Sequence, residues 1–271
     1  MLFLLTGVIV FRLVLFGWGV ASFDFEKNPH ENYISIWNRW DARAYILIAE
    51  KGYHPGGVAA DVPGFLSRFP PLFPGLIKFL VLVSGLSFSL SAMLISWLSF
   101  VAAAYFLFKL MVLEFHNRAR AVMAVILLTV YPVSYFTMAG YTESLFLFFS
   151  IASIYFLRSR SLNISGLTAG GAILTRILAV SLGAPMVISA VRGICCGRKW
   201  RSYAGLFIFP VLAFVGFLAV NKIVSGDMFS FFKDYSGNPV ARKELIIPFS
   251  ETISRVREFF TGLPHVLNND F

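Results

Sequence analysis

Apolar runs long enough to cross a bilayer lie near residues 1–22, 88–112, 121–139 and 204–223. A spanning helix needs about 20 such residues, so the chain reads as an all-α integral membrane protein. Composition agrees. Hydrophobic residues make up 58% of the 271 and charged residues 14%, against about 25% charged in soluble domains. Phenylalanine alone occurs 30 times, more than a soluble core of this length needs. The first run lacks a basic leading segment and carries Arg12 at its middle, which favours a retained anchor over a cleaved signal. Cys195 and Cys196, the two cysteines, are adjacent and imply no disulfide framework.

The number of crossings follows from the basic loops, because short cytoplasmic loops collect Lys and Arg. Residues 109–120, 158–160 and 192–201 hold nine basic residues and one acid, Glu114. Residues 23–71 hold five basic and six acidic residues, and the tail 224–271 the same. Placing the basic loops inside and the mixed segments outside gives about seven crossings, with 23–87 an external loop and 224–271 an external tail. The apolar run 144–157 forms one crossing, and 165–191 must form a hairpin of two short helices. Residues 72–87, with Pro71, Pro74 and Lys78, read as an interfacial helix rather than a span. No repeat or linker divides residues 1–271, which form a single membrane domain. The net charge of +9 is explained by orientation, and nucleic acid is excluded as a partner.

Five ionisable groups remain in or at the ends of apolar runs: Arg12, Lys78, Glu143, Arg176 and Lys222. A charge at a helix centre costs about 2.5–3.5 kcal/mol on insertion scales. Lys78 and Lys222 sit near helix ends and can snorkel, and Arg12 is ambiguous. Glu143 and Arg176 fall at the external ends of their helices, on the side of Asp41. The stretch "IWNRWDARAYILIAEKGY" at 36–53 fits an amphipathic interfacial helix, with Trp37, Trp40 or Asp41, Ala44 and Ile48 at i, i+3/i+4 spacing. An aromatic belt at headgroup depth with an ordinary solvated acid is the bland alternative. The histidines His30, His54, His116 and His265 show no metal-ligand spacing. "GLTAGGA" at 166–172 supplies small residues for close helix packing.

Several segments occur in one order: "WDARAYILIAEKGY", "FPPLFPGL", "AGYTESLFLFFSI", "GLTAGGAILTRILAV" and "SGDMFSFF". This ordered set, spread over residues 37–232, resembles the GPI mannosyltransferase II (PIG-V) family of the GT-C glycosyltransferases. The resemblance implies a GT-C-like helical bundle with interfacial helices in its first external loop. It implies transfer of mannose from a polyprenyl- or dolichyl-phosphate-linked donor to an acceptor hydroxyl at the extracytoplasmic face. Family members generally continue through further spans, so the tail is expected to be truncated relative to the family.

An inverting single displacement needs one carboxylate within reach of the attacking hydroxyl, and Asp41 is the expected base. A cation near the lipid phosphate stabilises the leaving group; Arg176 is the first candidate, with Arg43 and Arg39 next. Trp40, Tyr45, Tyr141 and Glu143 are expected to line the substrate site, although Glu143 could simply pair with Arg176. No D-x-D occurs, so no metal and no cofactor is expected. The expected partners are the lipid-phosphate sugar, a lipid or glycan acceptor, membrane lipids and a possible further subunit. Localisation would be the plasma membrane of a prokaryote or the endoplasmic reticulum of a eukaryote. Transfer of another hexose, a transporter using Glu143 and Arg176 as a relay, and a noncatalytic remnant remain alternatives.

Overall fold

The computed structural model describes residues 1–28, 30–53 and 65–232. The expectations for His54, for residues 54–64 of the first loop and for the tail beyond Phe232 lie outside the described residues. Within them the chain is helical and no strand occurs. The α-helices are α1 (Leu2–Ala21), α2 (Asp41–Lys51), α3 (Leu72–Ser84), α4 (Phe88–Phe115), α5 (Arg118–Val130), α6 (Glu143–Arg158), α7 (Leu162–Ile173), α8 (Gly183–Cys195) and α9 (Ala204–Ser225). Among the described residues four stretches are long and apolar enough to cross a membrane: Leu2–Ala21, Phe88–Phe115, Ile177–Cys195 and Trp200–Ser225.

The run expected to span at 121–139 is interrupted. Pro132 has no N–H and disfavours helical geometry at the residue before it; Tyr131 accordingly turns extended (φ −58°, ψ 134°). The chain continues as a tight 3-10 turn, Pro132–Thr137. The run 165–191 does break, at residues 174–176, between α7 and a 3-10 turn over Ile177–Leu182 that leads into α8. The stretch after Trp37 also departs from its expected pattern. Trp40 takes φ 44°, which ends any helical continuation from Trp37, and α2 begins only at Asp41. The buried face of α2 is Ala42, Tyr45, Ile48 and Ala49; of the expected stripe Trp37 and Ile48 are buried, Ala44 is half-buried, and Trp40 and Asp41 are exposed.

The helices pack in a row, α5 on α4, α4 on α6, α6 on α7 and α7 on α9, with α1 across α4 and α5. Without a hydrophobic drive between helices in lipid, small residues and interhelical hydrogen bonds hold such seams. The buried face of α4 includes Ser91, Ala92, Ser96, Ser99, Ala103 and Ala104. Between α6 and α7 two serines bond reciprocally: Ser153 Oγ donates to Ser165 O at 3.1 Å and Ser165 Oγ to Ser153 O at 2.8 Å. The outward face of α9 exposes Ile208, Val211, Leu212 and Val215, a stripe at helical spacing suited to lipid.

The close packing expected of "GLTAGGA" is realised between α7 and α9. A Cβ on Gly166 would overlap the Gly205 carbonyl, and one on Gly170 would lie 3.0 Å from Phe209 O. Replacing Gly166 with leucine should therefore destabilise the bundle by about 1–3 kcal/mol. Gly216→Ala, at a position with open space around it, should be near neutral. Thermal melting of the two variants in detergent compares them directly.

Candidate active site

The segment Met138–Thr142 leaves the 3-10 turn at Thr137 and enters α6 at Glu143. Met138, Ala139, Tyr141 and Thr142 are buried, yet the backbone here is irregular, so its polar groups need partners from elsewhere. Two neighbouring elements supply them, and a third holds Thr137 just before the segment. From α4, Trp97 Nε1 donates to Met138 O at 2.9 Å and Ser96 Oγ to Tyr141 O at 2.8 Å. From the stretch before α2, Asn38 Oδ1 accepts the Gly140 N–H at 3.1 Å while its Nδ2 donates to Ser89 O at 3.2 Å. A Cβ at position 140 would overlap the Asn38 side chain, so glycine is required for this approach. Tyr141 OH returns the link by donating to Arg39 O at 2.9 Å.

The third partner is Arg12. Its guanidinium, buried at the middle of α1, donates to Thr137 O at 3.1 and 2.7 Å and to Thr137 Oγ1 at 2.8 Å. It also lies 3.9 Å from the centroid of the Phe100 ring. A cation costly to bury in an apolar helix is thus compensated by a carbonyl, a hydroxyl and an aromatic face. Ser144 Oγ donates to the same Thr137 carbonyl at 2.7 Å, which ties the first turn of α6 to this anchor.

Around this junction stand the residues singled out in the sequence. Glu143 Oε1 accepts from Arg176 Nη1 at 2.8 Å, so the break after α7 is joined to the start of α6. Both side chains remain about a third exposed, while Glu143 Oε2 is buried without a hydrogen-bond partner among the described residues. Lys222, expected to snorkel, donates to Gly226 O at 2.7 Å and closes the end of α9. Asp41 is exposed at the first turn of α2, where the helix N-terminus favours an anion. Tyr45 OH lies 3.5 Å from Thr142 Oγ1. Burial pushes the Tyr45 phenol up to about 12; the Thr142 hydroxyl and then Arg176 oppose this, and Asp41 and Glu143 add to it. Burial likewise raises the Tyr141 phenol, with Tyr135, Asp41 and Glu143 contributing further. Both carboxylates therefore act on the same two phenols, which stay protonated at neutral pH.

Arg39, Trp40 and Arg43 line a cavity of about 520 Å³ together with Phe23, Ile36 and Tyr135. Asp41, Glu143 and Arg176 do not line it, although Asp41 lies in the chain between the lining residues Trp40 and Arg43. Glu31, which sequence reasoning overlooked, organises the cations: its Oε1 is 2.8 Å from Arg39 Nη1 and 3.5 Å from Arg43 Nη2. The Ser35 hydroxyl donates to Glu31 Oε2 and, with the two arginines, holds its carboxyl below the ordinary glutamate value against the desolvation that opposes it. Asn38 was also missed, although it sits inside the tryptophan-rich motif. Trp37 itself is buried, stacked on Phe16 at 5.6 Å between ring centroids and tilted against Tyr135 at 5.4 Å; Trp40 is exposed. No group of three or more His, Cys, Asp or Glu that could hold a metal occurs among the described residues.

The chain is a helical bundle with helices long and apolar enough to cross a membrane, and Asp41, Glu143 and Arg176 stand at the starts of α2 and α6 and at the break after α7. The family follows from comparison: a model described as Mannosyltransferase (PIG-V) matches residues 19–256. The chain belongs to that family and is a membrane mannosyltransferase, hence a glycosyltransferase. No curated protein and no solved structure matches it.

Asn38→Ala should leave the buried Gly140 N–H and Ser89 carbonyl without this partner, a loss of about 1–3 kcal/mol visible as a lower melting temperature. A double-mutant cycle of Glu143→Gln and Arg176→Gln should return a coupling of about 0.5–1 kcal/mol, as for a partly exposed pair. Additive single-variant effects would show that the contact contributes nothing.

Proposed function

We propose that the enzyme transfers mannose from a polyprenyl- or dolichyl-phosphate-linked donor to an acceptor hydroxyl, at the extracytoplasmic face, with inversion at the anomeric carbon and without a metal ion. About seven crossings, with α2 and α3 at the interface, accompany this reading. The observation that carries it is the 520 Å³ cavity lined by Arg39, Trp40 and Arg43, the residues that flank Asp41 in the chain. Two guanidinium groups held by one carboxylate suit a phosphate, whose oxygens match the guanidinium fork. This gives Arg39 and Arg43 the leading place on the donor phosphate and leaves Arg176, already engaged by Glu143, to orient that carboxylate.

In the transfer step the Asp41 carboxylate takes the proton of the acceptor hydroxyl as its oxygen bonds to the mannose anomeric carbon. The bond from that carbon to the phosphate oxygen breaks, and the polyprenyl phosphate leaves with the electron pair. Developing charge on the leaving oxygen is met by Arg39 and Arg43, where preorganised donors act most strongly. Glu143 Oε2, buried and unpartnered, is suited to accept a sugar hydroxyl. Trp40 offers an exposed ring to the sugar, while the buried Tyr141 holds the Arg39 backbone carbonyl and Tyr45 meets Thr142 behind it.

Asp41→Asn should lower kcat by roughly 100- to 10,000-fold, the usual range for a general base, with melting unchanged. The assay is transfer from labelled polyprenyl-phosphate mannose in reconstituted membranes. Full transfer by the variant would sink the base assignment. Arg39→Gln and Arg43→Gln should raise KM for the donor more than Arg176→Gln does, and equal donor KM in all three would remove the phosphate assignment. Substituting polyprenyl-phosphate glucose for the mannose donor tests the sugar itself.

A further inference from the structure

At the end of the bundle opposite Asp41 and Glu143 a second cavity, of about 530 Å³, opens between α1, α4, α5 and α6. Leu4, Phe108, Val112 and Val122 form its walls, and Lys109 and Arg118 stand among them. At 1.5 Å per residue Lys109 lies roughly 30 Å along α4 from Phe88, about the thickness of a hydrocarbon core. If Phe88 marks one boundary of the apolar layer, the Lys109 ammonium sits at headgroup depth at the other. Arg118 begins α5 just after the turn that ends α4.

Neither cation has a carboxylate partner among the described residues. Glu114, the acid at this end, is held by both ends of the Arg158 guanidinium, and Lys109 Nζ has only the Tyr155 ring at 6.0 Å. Lys109 and Arg118 are exposed and flank an apolar cleft.

We propose that this cleft binds an anionic diacyl phospholipid, its phosphate between Lys109 and Arg118 and an acyl chain along Phe108, Val112 and Val122. Two positive charges without a carboxylate partner among the described residues, Glu114 being taken by Arg158, favour a headgroup of net negative charge over a zwitterion, whose own ammonium would meet them. The apolar walls require the acyl chain, so a free phosphate does not fill the site.

Native mass spectrometry of the full chain, purified and exposed to phosphatidylglycerol or phosphatidylcholine, tests this. The wild type should retain phosphatidylglycerol in preference to phosphatidylcholine, and inorganic phosphate should not displace it. The double variant Lys109→Gln, Arg118→Gln should bind phosphatidylglycerol at least about 10-fold more weakly, given the attraction per cation near an anionic surface. Val112→Trp, which fills the cleft and keeps both charges, should lose the lipid too. Arg120→Gln, a nearby exposed cation outside the cleft, should retain it. Wild-type retention by the double variant, equal retention of phosphatidylcholine, or equal loss in Arg120→Gln would each overturn the proposal.

Discussion

An irregular backbone segment buried inside an apolar bundle has to find a partner for each polar group it brings, and Met138–Thr142 is such a segment. Its carbonyls and amides are met by Trp97 and Ser96 on α4 and by Asn38 ahead of α2, with Arg12 on α1 holding the preceding Thr137. Each bond fixes one neighbouring element against the segment. The start of α6 and the start of α2 are thereby held at one end of the bundle, which brings Glu143 and Asp41 to bear on the same two tyrosines. Were the segment a regular helix, its backbone would be self-satisfied and none of these elements would be tied to it.

The charged groups divide by what surrounds them. Arg12 is enclosed and spends its guanidinium on structure: a carbonyl, a hydroxyl and the Phe100 ring. Glu143 and Arg176 bind one another at a position still open to solvent, leaving one carboxylate oxygen uncommitted. Arg39 and Arg43 share Glu31 at the edge of a cavity, where an incoming anion can compete for them. The strained backbone at Trp40 (φ 44°) belongs to the same arrangement. Such a conformation costs on the order of 1–3 kcal/mol and persists where its surroundings enforce it; here it turns the chain sharply between the cavity-lining Arg39 and the first turn of α2.

Part of the helical layout was legible in the sequence, because apolar run length reports directly on helices able to span. The break in 165–191 was legible from its excess length taken together with the basic loops on either side. The end of α5 was signalled by Pro132 but outweighed by the apolar run that continues past it. The exposure of Trp40 and Asp41 and the burial of Ala42 and Tyr45 were not legible, since they depend on the conformation of Trp40, which tertiary contacts impose. Glu31 and Asn38 were hidden for a related reason. Their roles arise from what they touch, and neither Arg39 for Glu31 nor Gly140 for Asn38 is marked by any local spacing.

By itself the sequence determined a helical membrane chain of the mannosyltransferase (PIG-V) family and the residue types able to carry its chemistry, because hydropathy and motif order are properties of the linear chain. Only the tertiary structure decided that Arg176 engages Glu143, that Arg39 and Arg43 rather than Arg176 face a cavity, and that Arg12 anchors the turn before α6. Those outcomes depend on distances of about 3 Å between residues far apart in sequence, and such distances are set by helix packing and by the demand that every buried polar group be paired.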